Sequence, residues 1–313
     1  MKKYFFFILI SLAHWGCHRN YSSLNEKGCE EYLAGNYKVA IFYYTEAIKE
    51  DTLNPINYFF RSKARFMIND YQGVVRDCDK VIRIDSNLDN EIMHVYYYSG
   101  RAKLELNDYQ GSYEDFSKLI AFNPNDTIVY YYRSQSLDKL NRYSEALKDI
   151  NLYISLIPDI SNHPYVLIHR GEIYEDLKDY KSAFADYNSV INEYSHGVFL
   201  SRGAMKEKLH DSIGALSDYT ITIELDSSND VAYYYRGVLN YFLKRYKEAL
   251  HDLSKTIEIN SSYCNAYFYR ANVKLILKDT YGACQDWQKG LELCQDSTAM
   301  NLMSTYCKSF KDK

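Results

Sequence analysis

Chain breakers are scarce: four prolines and 13 glycines are spread over 313 residues. That scarcity excludes a loop-rich or collagen-like chain and leaves helices joined by short connections. Positive charge is not in excess either, since the formal net charge is -4. No basic surplus is on hand to release counterions from a phosphate backbone, which argues against nucleic acid as a partner. There is no CxxC, no HExxH and no glycine-rich loop after a strand, and the eight histidines are scattered. With no metal set, cofactor cradle or catalytic constellation, the sequence predicts no metal, no cofactor, no small-molecule substrate and no enzyme activity. Long apolar runs are missing too. The N-terminal run from Tyr4 to Ala13 is about half of the roughly 20 residues that a spanning helix needs.

Tyrosine, by contrast, is abundant. The chain carries 34 of them, and an apolar ring with a hydroxyl tip suits surfaces that are partly buried and partly wet. The hydrophobic share of 47% and charged share of 25% are those of a chain that can form a core. At the N-terminus, Lys2 and Lys3 precede the apolar run, which stops at His14, Trp15, Gly16 and Cys17; this is a secretory signal peptide in outline. Gly16 before Cys17 resembles the lipobox of bacterial lipoproteins, although His14 and Trp15 stand where that motif carries an aliphatic and a small residue. The resemblance implies that residues 1–16 are removed, that Cys17 is acylated as the mature N-terminus, and that residues 17–20 form a tether. It also implies an exported protein anchored in a membrane by its N-terminal lipid only, facing the periplasm or the cell surface. A plainly exported protein with a free or disulfide-bonded Cys17 is the alternative.

From residue 21 onward one pattern recurs. YYYRG at Tyr233–Gly237 and YFYRA at Tyr267–Ala271 lie one period apart, with earlier copies at Tyr58, Tyr96 and Tyr130 and looser ones ending at Gly28, Gly171 and Gly203. The small residues of the eight copies are Gly28, Ser62, Gly100, Ser134, Gly171, Gly203, Gly237 and Ala271, as two closely packed helices require. Four residues earlier stands a large apolar residue in every copy, and six residues later an Ile or Leu in seven, which keeps one helical face apolar. A polar turn follows, such as Asn69-Asp70 or Lys178-Asp179. A second helix then has its own small position (Ala40, Val74, Ser112, Ala146, Ala183, Ala215, Ala249, Ala283). An arginine precedes the small residue in six copies, and an aspartate recurs sixteen residues beyond that position in seven. Recurrence in every copy marks these as a lattice of ion pairs, within a copy or between neighbours, rather than an active site.

This pattern resembles the tetratricopeptide repeat, a helix-turn-helix unit of about 34 residues. The resemblance implies an all-α fold: a right-handed α-solenoid of about eight repeats over 21–296, starting near 21, 55, 93, 127, 164, 196, 230 and 264, with 297–313 as a capping helix. Insertions near Asp89 and Ser161 are expected to lengthen the links between copies. A signal peptide implies an oxidising compartment, and Cys284 and Cys307 fall at the same edge of the last repeat and its cap. They are disulfide candidates, against the alternative of two buried thiols; Cys78 falls at a core position.

In the family the first helices line a groove that takes a peptide or a partner's helix. The corresponding candidates are Phe59, Tyr97, Arg101, Tyr131, Tyr234, Tyr241 and Phe268, with packing between neighbouring first helices as the competing role for each. The expected function is a non-enzymatic scaffold or adaptor in the bacterial cell envelope that binds another protein or peptide. A structural spacer without a groove ligand, or a regulatory subunit of an envelope enzyme complex, is the alternative.

Overall fold

A computed structural model describes residues 23–84, 89–191, 196–294 and 297–307. The leader, the tether and Cys17 lie outside the described residues. Among the latter every regular element is helical and no strand occurs. The chain divides after Pro158 into two compact units. The first holds four helix pairs: α1 (Ser23–Leu33) with α2 (Tyr37–Glu50), α3 (Pro55–Met67) with α4 (Tyr71–Ile84), α5 (Asp89–Glu105) with α6 (Tyr109–Phe122), and α7 (Thr127–Lys139) with α8 (Tyr143–Leu156). The second opens with a 3-10 turn (Ile160–Asn162). Its pairs are α9 (Pro164–Asp176) with α10 (Tyr180–Ser189), α11 (His196–Lys208) with α12 (Ser212–Leu225), α13 (Asp230–Phe242) with α14 (Tyr246–Ile259), and α15 (Cys264–Ile276) with α16 (Thr280–Leu293). A last helix, α17 (Ser297–Tyr306), packs on α16.

Each hairpin closes by the same local chemistry. The first helix ends on a left-handed residue, which is Gly35 in the first pair and Asn69, Asn107, Asn141, Lys178, His210, Lys244 and Lys278 in the others. The next amide then reaches back five residues, as Asp70 N does to Arg65 O at 3.0 Å, so the helix stops without stranding its last carbonyls. In five pairs the same residue is an aspartate that caps the second helix; Asp108, for example, accepts from Gly111 N at 3.0 Å. The insertion near Ser161 forms the 3-10 turn. The one near Asp89 corrects the expectation of a longer link: α5 has 17 residues where α3 has 13, so the extra residues add a helical turn.

The small residue of each first helix faces the second helix of its own pair. A Cβ on Gly28 would lie 2.6 Å from the Tyr44 ring, and on Gly171 or Gly203 2.8 Å from Tyr187 or Tyr219. Where serine stands instead, its hydroxyl is absorbed by its own helix: Ser62 donates to Phe59 O and Ser134 to Tyr131 O. Large rings on the second helix thus fill the gap that the missing side chain leaves.

The recurring arginines tie the pairs together. Arg236 Nε and Nη2 donate to Asp252 Oδ2 and Oδ1 at 2.9 and 2.8 Å. The same two-pronged grip joins Arg61 to Asp77, Arg133 to Asp149, Arg170 to Asp186, Arg202 to Asp218 and Arg270 to Asp286. A third prong reaches back to the preceding pair, where Thr45, Ser117, Thr220 and Ser254 accept from Arg61, Arg133, Arg236 and Arg270. Each of these four arginines therefore fixes the register of three helices, and the fork geometry of guanidinium is what allows it. In the third pair, where Ser99 replaces arginine, Lys103 reaches Asp115 at 2.7 Å.

At the C-terminal end Cys264 is joined to Cys294 and Cys284 to Cys307, with Cα separations of 6.1 and 5.8 Å. The first bridge closes the open mouth of the α15–α16 hairpin. The second holds α17 where Tyr306 stacks on the buried Trp287 at 6.3 Å and Leu302 and Met303 pack against the same cluster. Cys78 is a free, buried thiol.

Candidate partner-binding face

Within the first unit, the exposed side of the first helices gathers two cations among aromatic rings. Lys63 on α3 lies 5.5 Å from the Tyr32 ring centre, 5.6 Å from Phe59 and 5.7 Å from Phe60. Arg101 on α5 lies 4.8 Å from Phe66, 4.9 Å from Tyr132 and 5.8 Å from Tyr97. Helical spacing builds both cages. Phe59 and Phe60 precede Lys63 by four and three residues, and Tyr97 precedes Arg101 by four, so each cation meets a ring of its own helix. Neighbouring first helices supply the rest. Tyr98 bridges the two cages, 6.3 Å from Phe59 and 5.4 Å from Phe66.

The electrostatics there are unusual for this fold. Lys63 is 7% exposed, no ion pair reaches it among the described residues, and burial brings its ammonium down to about 8. Burial likewise pushes the Tyr97 and Tyr98 phenols well above the ordinary tyrosine value, so these hydroxyls stay protonated and can donate.

Within the second unit a tyrosine cluster spans α13 and α15. Tyr234 packs on Tyr263 at 4.7 Å and on Tyr269 at 6.1 Å, while Tyr241 meets Tyr269 at 5.7 Å and the exposed Phe242 at 5.3 Å. One acid neighbours it: Glu207 acts on Tyr269 and accepts from the Tyr219 hydroxyl at 3.1 Å. An open cleft of about 540 Å³ lies on the other side, lined by Arg236, Asp252, His251 and Thr220 among others. Its arginine and aspartate already belong to the ion-pair lattice.

The structure divides the seven residues expected to line a groove. Tyr97 and Arg101 come together, as do Tyr234 and Tyr241. Phe59, Tyr131 and Phe268 each keep 8% of their surface and pack between helices. Tyr131 packs on Tyr132 and Tyr153, and Phe268 occupies the room that Gly290 leaves, where a Cβ would collide with its ring. Lys63, which helical position places with Arg101 farther along the first helices, and Tyr98, Tyr132 and Tyr269, which position alone did not single out, join these clusters. The cation-after-aromatic spacing in Phe59-Phe60-x-x-Lys63 was the available signal.

The tetratricopeptide-repeat family model matches residues 165–196. Among curated proteins, a TPR repeat-containing protein of Methanocaldococcus jannaschii is 24% identical over 234 residues, covering 68% of this chain and 40% of that one. The chain spans between 10% and 40% of the lengths of the curated relatives it matches. Among solved structures, the C-terminal part of a TPR repeat-containing protein from Cytophaga hutchinsonii superposes with a TM-score of 0.60 at 17% identity, covering 78% of this chain and 98% of that one. YrrB, a TPR protein with an unusual peptide-binding site, gives 0.50 at 20% identity, covering 60% and 97%. Consecutive helix pairs of one design define an α-solenoid. With these likenesses, the fold is that of a tetratricopeptide-repeat solenoid.

Proposed function

We propose that this chain is a non-enzymatic scaffold or adaptor that docks a peptide or helix of a partner protein on the first-helix face, and that it does so as an exported lipoprotein of the bacterial cell envelope, anchored through Cys17. The observation that carries the docking reading is a contrast between two faces. The arginines and aspartates between the helices are consumed in the lattice, while the first-helix face keeps Lys63, Arg101 and clusters of largely buried tyrosines, a composition suited to an interface. The peptide-binding site of YrrB supports the same use of the fold. Two disulfides at the C-terminal end support the exported location, because such bonds persist where the surroundings are oxidising.

Crosslinking in the native host followed by pulldown tests the docking. The full chain should retain a partner that is lost when Tyr97 and Tyr234 become Ala; indifference to both changes favours a spacer. For the anchor, metabolic labelling with a fatty acid should tag the wild type and fail on Cys17→Ser, and absence of label from both removes the lipid.

A further inference from the structure

Each second helix turns one side to the core and the other outward, and in the first pair the outward side is apolar. Ala40, Tyr44, Ala47 and Ile48 form the buried side of α2. Opposite them Val39 and Phe42, one turn apart, are 43% and 58% exposed, and Leu53, in the connection just beyond the helix, is 71% exposed. The fold does not ask for these residues. Where Val39 stands, the other seven copies hold glycine, glutamate or serine; where Phe42 stands, they hold polar residues and one alanine; where Leu53 stands, they hold asparagine, aspartate, serine or histidine. Glu46 and Lys49 fall between Phe42 and Leu53 and pair with each other at 2.7 Å, so the stripe carries no net charge.

The place of this stripe in the chain selects what covers it. Asn25 Nδ2 donates to Asn57 Oδ1 at 2.6 Å, and Asn57 Nδ2 to the Ala47 carbonyl at 3.1 Å. These bonds set the start of α1 beside the last turn of α2, at the mouth of the hairpin from which Leu53 leads on to α3. Cys17 precedes Ser23 by six residues, a span of about 20 Å when fully extended. A link so short holds the first pair at the surface of the membrane that the Cys17 lipid enters. Resting on the lipid anchor proposed above, we infer that Val39, Phe42 and Leu53 form a second membrane contact, which enters the boundary between headgroups and acyl chains beside the anchor and sets how the first pair is turned toward the bilayer. No helix among the described residues is long and apolar enough to cross a membrane, so the contact lies in the interface. Apolar burial drives it, since the net charge of -4 supplies no attraction to acidic headgroups. Three side chains bind a bilayer weakly by themselves; the anchor keeps them at high local concentration, and the contact persists.

The full chain, purified from its host and reconstituted in phosphatidylcholine vesicles, tests this by fluorescence. Phe42→Trp places a reporter in the stripe, and Lys148→Trp places one at the matching position of the fourth pair; the wild-type signal, from the fully buried Trp287, is subtracted. The Phe42→Trp emission should shift to the blue and be quenched by bromine carried high on the acyl chains, as expected at a depth of about 5 to 10 Å, while Lys148→Trp stays unquenched. Adding Val39→Glu and Leu53→Asn, residues that other copies carry at these positions, should abolish most of that quenching while circular dichroism shows the fold intact. A chain that floats with the vesicles while Phe42→Trp goes unquenched keeps the anchor and overturns the contact. Equal quenching at both reporters overturns it as well, and a blue shift without quenching puts another protein, such as a second copy, on the stripe instead of lipid. A chain that neither takes fatty-acid label nor floats removes the anchor, and the contact with it.

Discussion

Removing the carboxylate of Asp252 should cost far more than the ion pair itself is worth. Asp252 is 2% exposed and holds Arg236 by two bonds of 2.8 and 2.9 Å, while Arg236 also donates to Thr220 on α12. Asp252→Ala leaves a guanidinium that is mostly shielded from water without its anion, and breaking a buried pair in this way costs about 3 to 5 kcal/mol. The Arg236 side chain retains 19% of its surface, which places the cost near the lower figure. Replacing both partners, Arg236→Met with Asp252→Leu, strands no charge and should fall within about 1 kcal/mol of the wild type. The exposed pair Lys255–Glu258 is the control, at about 0 to 1 kcal/mol. Because repeat arrays unfold piecewise, urea melts should be paired with hydrogen exchange read on α13 and α14. The reasoning fails if the single variant is as stable as the control, or if the double variant is no more stable than the single one.

Breaking the Cys284–Cys307 bridge by Cys307→Ser reopens a segment of 23 residues, worth about 3.4 kcal/mol on the chain-entropy account; hydrogen exchange should rise in α15 to α17 and stay unchanged in α1 to α8, and uniform exchange would refute the local effect. Gly203→Ser puts a Cβ 2.8 Å from the Tyr219 ring and should destabilise by about 1 to 3 kcal/mol, with Tyr219→Leu restoring part of the loss in thermal melts; additive effects would deny the contact. Lys63 binds its proton more weakly in the folded chain, at about 8 against the ordinary 10.5, so between those values the unfolded state holds more protons and stability rises with pH, by about 3 kcal/mol in full. The rings facing it from α1 and α5, Tyr32 at about 12 and Tyr98 higher still, stay neutral across that window. The stability difference between wild type and Lys63→Met should therefore narrow from pH 8 to 9.5, and a flat difference would show that Lys63 is not desolvated.

Pairing of arginine with aspartate was legible in the sequence because both partners recur at one interval, which allows a partner in the same copy or the next; the structure joins them within the copy. The third prong was not. Thr45, Ser117, Thr220 and Ser254 also stand at a constant interval from their arginines, but a hydroxyl on a second helix reads as ordinary surface until the preceding pair is seen beside it. The Cys264–Cys294 bridge went unread for a related reason: it joins the two ends of a hairpin at its open mouth, and spacing along the chain does not say which ends meet. For the groove, helical position put Phe59, Tyr131 and Phe268 on the same side as Tyr97. What packs on them was not legible there: Gly290 makes room that Phe268 fills and Tyr153 closes over Tyr131.

What recurs in a repeat protein answers a demand that every copy shares, and that demand is packing against the next copy. A partner that docks on one stretch makes its demand on particular copies only. At the position one residue beyond the small one, the eight copies hold Cys29, Lys63, Arg101, Gln135, Glu172, Ala204, Val238 and Asn272, so the lattice asks nothing of this position. Lys63 and Arg101 are the two cations in that series, they are adjacent, and each stands behind rings from its own helix and from a neighbour. Recurrence therefore separates two kinds of residue: the arginines and aspartates of the lattice return in six and seven copies, whereas Lys63 and Arg101 belong to their own two copies and to the rings that close on them there.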